Sequence, residues 1–153
     1  MTIGDICNRE VIYVNRDVTV HAACKLMRHY HVGSLVVVDE MAGKREPVGI
    51  LTDRDVVVEI NAMDLDAKII TAGDIMSQEL VTVTDNQGVF ETIEIMRSRG
   101  VRRMPVVDGE NHLVGIVAID DLLEVLGAEL TDIARIVARE QSHEQYARSS
   151  SYL

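Results

Sequence analysis

Thr52 and Asp55 stand three residues apart, where an apolar run gives way to a helical one. A threonine hydroxyl beside the unpaired N–H groups of a helix start suits a phosphate or sugar oxygen. A carboxylate can accept two hydrogen bonds from the vicinal hydroxyls of a ribose. The same Thr-x-x-Asp spacing is also that of a capping box, in which both side chains serve the helix itself and the acid suits the helix dipole. Further along, Arg97, Arg99, Arg102 and Arg103 fall within seven residues. A guanidinium fork makes paired, charge-assisted hydrogen bonds to phosphate; a solvated surface pair is the ordinary alternative for Arg102 and Arg103.

Other chemistry finds little support. Cys7 and Cys24 form no metal-ligand pattern and read as small buried residues in a reducing compartment. His29 and His31 lack the cysteine or carboxylate companions of a zinc site. No Ser/His/Asp or Cys/His set and no P-loop is recognisable, and Asp120–Asp121 has no metal-ligand partner in sequence, so neither a catalytic residue nor a metal is expected. The formal net charge of −10 repels nucleic acid and anionic membranes, and a small anion would bind only where positive charge is concentrated. There is no run of 18 apolar residues and no signal peptide, so the expectation is a cytoplasmic protein.

The elements that must position these residues repeat. Shifted by 69 positions, residues 2–39 lie over 71–108 with thirteen of 38 pairs identical, among them Gly4/Gly73, Asp5/Asp74, Met27/Met96 and Asp39/Asp108. Beyond the loop 40–47, three residues longer than its counterpart, the register drops to 66 and matches Gly49/Gly115 and Asp55/Asp121. A duplicated unit explains this. Each copy reads as a short strand (Val11–Val14; Leu80–Val83), a helix with apolar residues at three- and four-residue spacing, and an apolar strand ending in Asp (Leu35–Asp39; Met104–Asp108). A further strand (Val48–Thr52; Leu113–Ala118) and a short helix (Asp53–Ile60; Ile119–Leu126) follow. The helical apolar positions are Val20, Ala23, Cys24 and Met27, then Val89, Ile93 and Met96; Met27, Met96 and Met104 read as core. Nearly continuous apolar strands imply sheets buried by helices.

The expected fold is α/β (α+β), two β-α-β-β-α units related by an approximate twofold axis with their sheets face to face. The boundaries read as repeat 1 at 2–60, a linker and the start of repeat 2 at 61–73, and repeat 2 at 74–126. An amphipathic helix at 127–140 follows, with Thr131 as N-cap and Leu130, Ile133, Ile136 and Val137 on one side. The tail 141–153 is expected to be disordered.

A unit of this size, present twice, with Gly49-Ile-Leu-Thr-Asp-Arg-Asp55, Gly115-Ile-Val-Ala-Ile-Asp-Asp121, Val32-Gly-Ser-Leu-Val-Val-Val-Asp39 and Val101-Arg-Arg-Met-Pro-Val-Val-Asp108, resembles the cystathionine-β-synthase (CBS) domain pair. The resemblance covers residues 2–126. It implies a stand-alone, non-enzymatic regulatory module binding AMP, ADP, ATP or a relative such as NAD or S-adenosylmethionine between the copies, with no catalytic cofactor. It implies that Asp55 and Asp121 hold the ribose, that Thr52 helps hold ribose or phosphate, and that Arg102 and Arg103 contact phosphate. Adenine would lie against the first strand of each copy, at Ile12 and Tyr13 or at Val81 and Thr82.

The copies diverge at two of these places. Ala118 takes the position of Thr52, and Gly33 and Ser34 take those of Arg102 and Arg103. The missing second hydroxyl favours an alternative, an interaction module whose clefts stay empty. Val56, Val57 and Val58 are three consecutive apolar residues that no single packing face can hide, and Leu122, Leu123, Val125 and Leu126 pose the same problem in the second copy. A homodimer in which each subunit's helices cover the other's is therefore expected; a regulated enzyme or transporter would be the further partner.

Overall fold

The computed structural model describes residues 1–151; Tyr152 and Leu153, the last two of the expected tail, lie outside the described residues. Two compact units result, Met1–Ala118 and the segment from Ile119 on. The first holds α1 (Ile3–Ile6), β1 (Tyr13–Asn15), α2 (Val20–Tyr30), β2 (Ser34–Met41), β3 (Lys44–Thr52) and α3 (Asp53–Asp55), with a π-helical turn at Val56–Asn61. It continues with α4 (Ala72–Ile75), β4 (Val83–Thr84), α5 (Val89–Arg99), β5 (Arg103–Val107) and β6 (Leu113–Ala118). The second unit is one helix, α6 (Ile119–Ser150).

Each repeat makes a three-stranded sheet, ordered β1-β2-β3 and β4-β5-β6, with the first pair parallel and the second antiparallel. The parallel pair requires a helical crossover, which α2 and α5 supply. On α2 the buried residues are Val20, Ala23 and Met27; on α5 they are Val89, Met96 and Thr92, the last hidden by donating its hydroxyl to the Gly88 carbonyl at 2.8 Å. Cys24 and Ile93, expected on the same faces, are half-buried. The loop expected at 40–47 is instead a continuation of the hairpin. β2 runs to Met41 and β3 starts at Lys44, because Ala42 and Gly43, both at positive φ, make the two-residue turn whose twist matches the strands.

The repeats are interlocked. The leading turn of the first, residues 2–8, lies against the second: Gly4 N–H donates to the Asp85 carbonyl at 2.7 Å, and Asn8 and Ile116 exchange two backbone hydrogen bonds of 2.9 Å. The leading turn of the second, residues 71–77, lies against the first: Gly73 N–H donates to the Arg16 carbonyl and Ser77 N–H to the Ile50 carbonyl. These contacts correspond under the repeat shift, 69 residues for the turns and 66 for Ile50 and Ile116, so the exchange is mutual and the relation twofold. Ala72 and Met76 consequently belong to the first repeat's core, with Val14, Ala23, Met27, Leu35, Val37 and Leu51. Capping boxes shape both leading turns, Thr2 with Asp5 and Thr71 with Asp74; the N–H of each threonine holds its carboxylate partner below the usual carboxylate range.

The expected break at Gly127 is absent. α6 passes through it, and Thr131, read as an N-cap, instead donates its hydroxyl to the Gly127 carbonyl at 2.8 Å, the back-bonding of a mid-helix threonine. The helix also continues through 141–150, where disorder was expected, on residues such as Glu140, Gln141, Glu144, Gln145 and Ala147 that propagate helix well.

Interlocking requires glycine where the partner turn lands. A Cβ on Gly49 would fall 2.9 Å from the Ser77 carbonyl oxygen and 2.5 Å from Met76 Sδ; one on Gly115 would fall 3.1 Å from the Asn8 carbonyl oxygen and 2.6 Å from Cys7 Sγ. Gly49→Ala should therefore destabilise the fold by about 1–3 kcal/mol, as overpacking does. Urea unfolding tests this; an unchanged midpoint would contradict the interlock.

Candidate functional site

Interlocking brings the end of β3 in the first repeat beside residues 77–81 and 100–103 of the second. Between them lies a cleft of about 510 Å³, within the range of small-molecule sites. Thr52 and Asp55 line one side, Val81 lies on the other, and Arg102 and Arg103 complete the rim. Five of the nine residues expected to bind ligand thus share one cleft.

The Thr-x-x-Asp pair performs the capping role: Thr52 N–H donates to Asp55 Oδ2 at 2.8 Å and Asp55 N–H donates to Thr52 Oγ1 at 3.1 Å. Capping uses the threonine oxygen as acceptor and leaves its hydroxyl proton to be donated. It also uses one carboxylate oxygen and leaves Oδ1 for another partner. Helix cap and ligand contact are compatible in this geometry. Arg103 reaches across to the first repeat, its Nη1 donating to Ser34 Oγ at 2.7 Å. Ser34 is Arg103's own counterpart under the 69-residue shift, so this bond sits at the twofold relation between the repeats. Arg102 is exposed.

The remaining four expected residues lie elsewhere. Thr82 lines an adjoining depression with Leu80 and Arg99. Ile12 packs against the first repeat's core, and the Tyr13 ring carries the Arg45 guanidinium 4.4 Å from its centroid. Asp121 stands half-buried in the first turn of α6. Ile12 and Asp121 are the repeat counterparts of Val81 and Asp55.

Several lining residues were not singled out from sequence. Arg54 and Asp53 lie inside the Thr52–Asp55 motif and were legible there; Ser77 and Glu79 reach the cleft only through the interlock. The cleft's charged side chains balance, Arg54, Arg102 and Arg103 against Asp53, Asp55 and Glu79. Gly33 matters for proximity: its carbonyl accepts from Asp53 N–H at 3.0 Å, and a Cβ there would lie 3.1 Å from Asp53 Oδ2. Pro105 bears on Val81, which lines the cleft. In the first repeat Val36 N–H donates to the Ile12 carbonyl at 3.2 Å. Pro105, the counterpart of Val36, has no N–H, so β4 begins only at Val83 and the Val81 carbonyl lacks that strand partner.

A model of the CBS domain matches residues 3–62 and 72–128. The chain belongs to the CBS-domain family. A Methanopyrus kandleri protein is 36% identical over 125 residues, 82% of this chain and 62% of its own length, so the chain spans less than two thirds of that relative. The solved structure of a CBS-domain protein from Burkholderia ambifaria superposes with a TM-score of 0.74 at 28% identity, covering 84% of this chain and 95% of that one. The CBS domain pair of protein MJ0100, solved in complex with 5′-methylthioadenosine and S-adenosylmethionine, shares the fold with a TM-score of 0.72 at 24% identity, covering 84% of this chain and 98% of that one. Tandem CBS repeats with a C-terminal helix thus describe the architecture.

The cap has a consequence for stability independent of any ligand. Thr52→Ala removes the acceptor for Asp55 N–H and should cost about 0.5–2 kcal/mol. Thermal unfolding without ligand checks this, and an unchanged transition would show that the cap contributes nothing.

Proposed function

We propose that this CBS pair is a non-catalytic regulatory module that senses an adenine nucleotide or related adenosyl ligand in the cleft between its repeats. The observation that carries the reading is the meeting, in one cleft, of the Thr52–Asp55 cap from one repeat and the Arg102–Arg103 pair from the other. Asp55 Oδ1 and the Thr52 hydroxyl proton, neither used by the cap, would serve ribose hydroxyls or a phosphate oxygen. Arg103 has a guanidinium able to leave Ser34 for a phosphate, and Arg54 adds a third cation. The Val81 carbonyl, without its strand partner, is an acceptor suited to the exocyclic amine of adenine. Ile12 and Tyr13 would receive a second adenine, in the copy of the motif where Ala118 supplies no hydroxyl; for Asp121 the role that remains is to accept from ribose hydroxyls. The ligand's effect would pass to self-association and to a partner such as an enzyme or transporter. Among the described residues no helix is long and apolar enough to cross a membrane, in keeping with a cytoplasmic role.

The second reading, an interaction module with empty clefts, draws on the bond that ties Arg103 to Ser34 without any ligand and on Ala118. A thermal-shift and calorimetric series with AMP, ADP, ATP, NAD, S-adenosylmethionine and adenosine separates the two. A ligand at 100 times its dissociation constant adds about 2.7 kcal/mol of stability. Asp55→Asn, which keeps an oxygen for the cap, should weaken binding by about 1–3 kcal/mol, and Arg103→Ala should weaken AMP or ATP more than adenosine. No heat and no shift with any of them at millimolar concentration would favour the empty-cleft reading.

A further inference from the structure

Ser34 and Arg103 occupy one position in the two copies, and they meet. Arg103 Nη1 donates to Ser34 Oγ at 2.7 Å in a part-buried bond. Arg103 lines the cleft and Ser34 does not. Among the described residues Ser34 is the one protein partner of the Arg103 side chain, so the N–H groups on Nε and Nη2 are bonded to no protein atom.

Other arginines of this chain are held differently. The Asp39 carboxylate clasps Arg16 at 2.7 and 3.0 Å, Arg97 meets Glu94 at 3.0 Å and Arg135 meets Asp132 at 3.1 Å. A carboxylate neutralises the cation it holds, whereas a serine hydroxyl fixes the guanidinium and leaves its charge in place. Three carboxylates, Asp53, Asp55 and Glu79, line the same cleft, yet Arg103 pairs with none of them. Released from its holder, a long cationic side chain is drawn to such acids. Pairing there would quench the charge that an anion needs. The duplication makes the arrangement one-sided: two serines at this position would supply no charge, and two arginines would set like charges against each other across the axis.

We infer that Ser34 is a positioning residue for a ligand's phosphate, holding Arg103 at the cleft, apart from the neighbouring carboxylates and with its charge unneutralised. A neutral hydroxyl also yields to a phosphate oxygen more readily than a carboxylate would, because the bond given up is not one between opposite charges. This role rests on the nucleotide reading of the cleft and places part of the selectivity for a phosphorylated ligand in a residue outside the cleft's lining.

Calorimetry of the intact chain with AMP and with adenosine tests it, together with inorganic pyrophosphate followed through the Arg103 Nε–H NMR signal. Ser34→Ala should weaken AMP about three- to tenfold, the effect of having to order one long side chain on binding, and leave adenosine within about twofold. Ser34→Thr, which keeps the hydroxyl, should retain the wild-type affinity for AMP. Ser34→Asp, which neutralises Arg103, should weaken AMP at least as much as alanine does. Pyrophosphate should shift the Arg103 signal saturably in the wild type and less in Ser34→Ala at the same concentration. Equal losses for AMP and adenosine, a threonine variant that behaves as the alanine one, or AMP binding unchanged or tighter in Ser34→Ala would overturn the inference. So would a wild type whose Arg103 signal ignores pyrophosphate, even if adenosine binds. A wild type that binds neither AMP nor adenosine but shows the pyrophosphate response, diminished in Ser34→Ala, would overturn the nucleotide reading and uphold the role of Ser34.

Discussion

The fold depends on a mutual exchange: each repeat's leading turn lies not on its own sheet but on the other's. The contact is made through backbone, with Ser77 N–H on the Ile50 carbonyl and Asn8 paired to Ile116, and it needs the space that Gly49 and Gly115 leave. Because Ala72 and Met76 complete the first repeat's core, neither repeat closes its apolar interior alone. A small domain buries a modest fraction of its surface, and two repeats sharing segments bury more than two side by side. The same exchange carries residues 77–81 to the end of β3 and so builds the cleft.

Duplication followed by divergence gives one site two kinds of wall. The first repeat keeps Gly33, which lets Asp53 close in, and Thr52, which caps the helix start. The second replaces Gly33 and Ser34 by arginines and Val36 by Pro105. Each change acts on the cleft for a separate physical reason: added positive charge in a chain of net charge −10, and an unpaired strand carbonyl at Val81. The Arg103–Ser34 bond shows that the positive charge is already turned across the axis between the repeats.

Much of this was legible in the sequence. The 69-residue shift disclosed the repeat, the apolar runs disclosed the strands, and the Thr52–Asp55 spacing disclosed both the cap and the cleft's edge. The interlock was not legible, because spacing within a repeat says nothing about which copy receives its leading turn; Ser77 and Glu79 were missed for that reason. Thr92 was missed because a hydroxyl bonded back to its own helix can be buried at little cost. In α6, Gly127 and Thr131 read as stop and start signals. A helix interior tolerates one glycine for about 1 kcal/mol, and Thr131 turns its hydroxyl to the chain behind it, so neither residue ends the helix.

The central claim is that the interlock of two repeats makes one ligand cleft, and backbone amide NMR tests it most directly. Titration of the ¹⁵N-labelled protein with AMP, and separately with S-adenosylmethionine, should give saturable shifts for at least one ligand. Those shifts should concentrate at residues 52–55, 77–81 and 100–103, on both repeats together. No saturable shift with either ligand, or shifts confined to one repeat or to α6, would contradict the account.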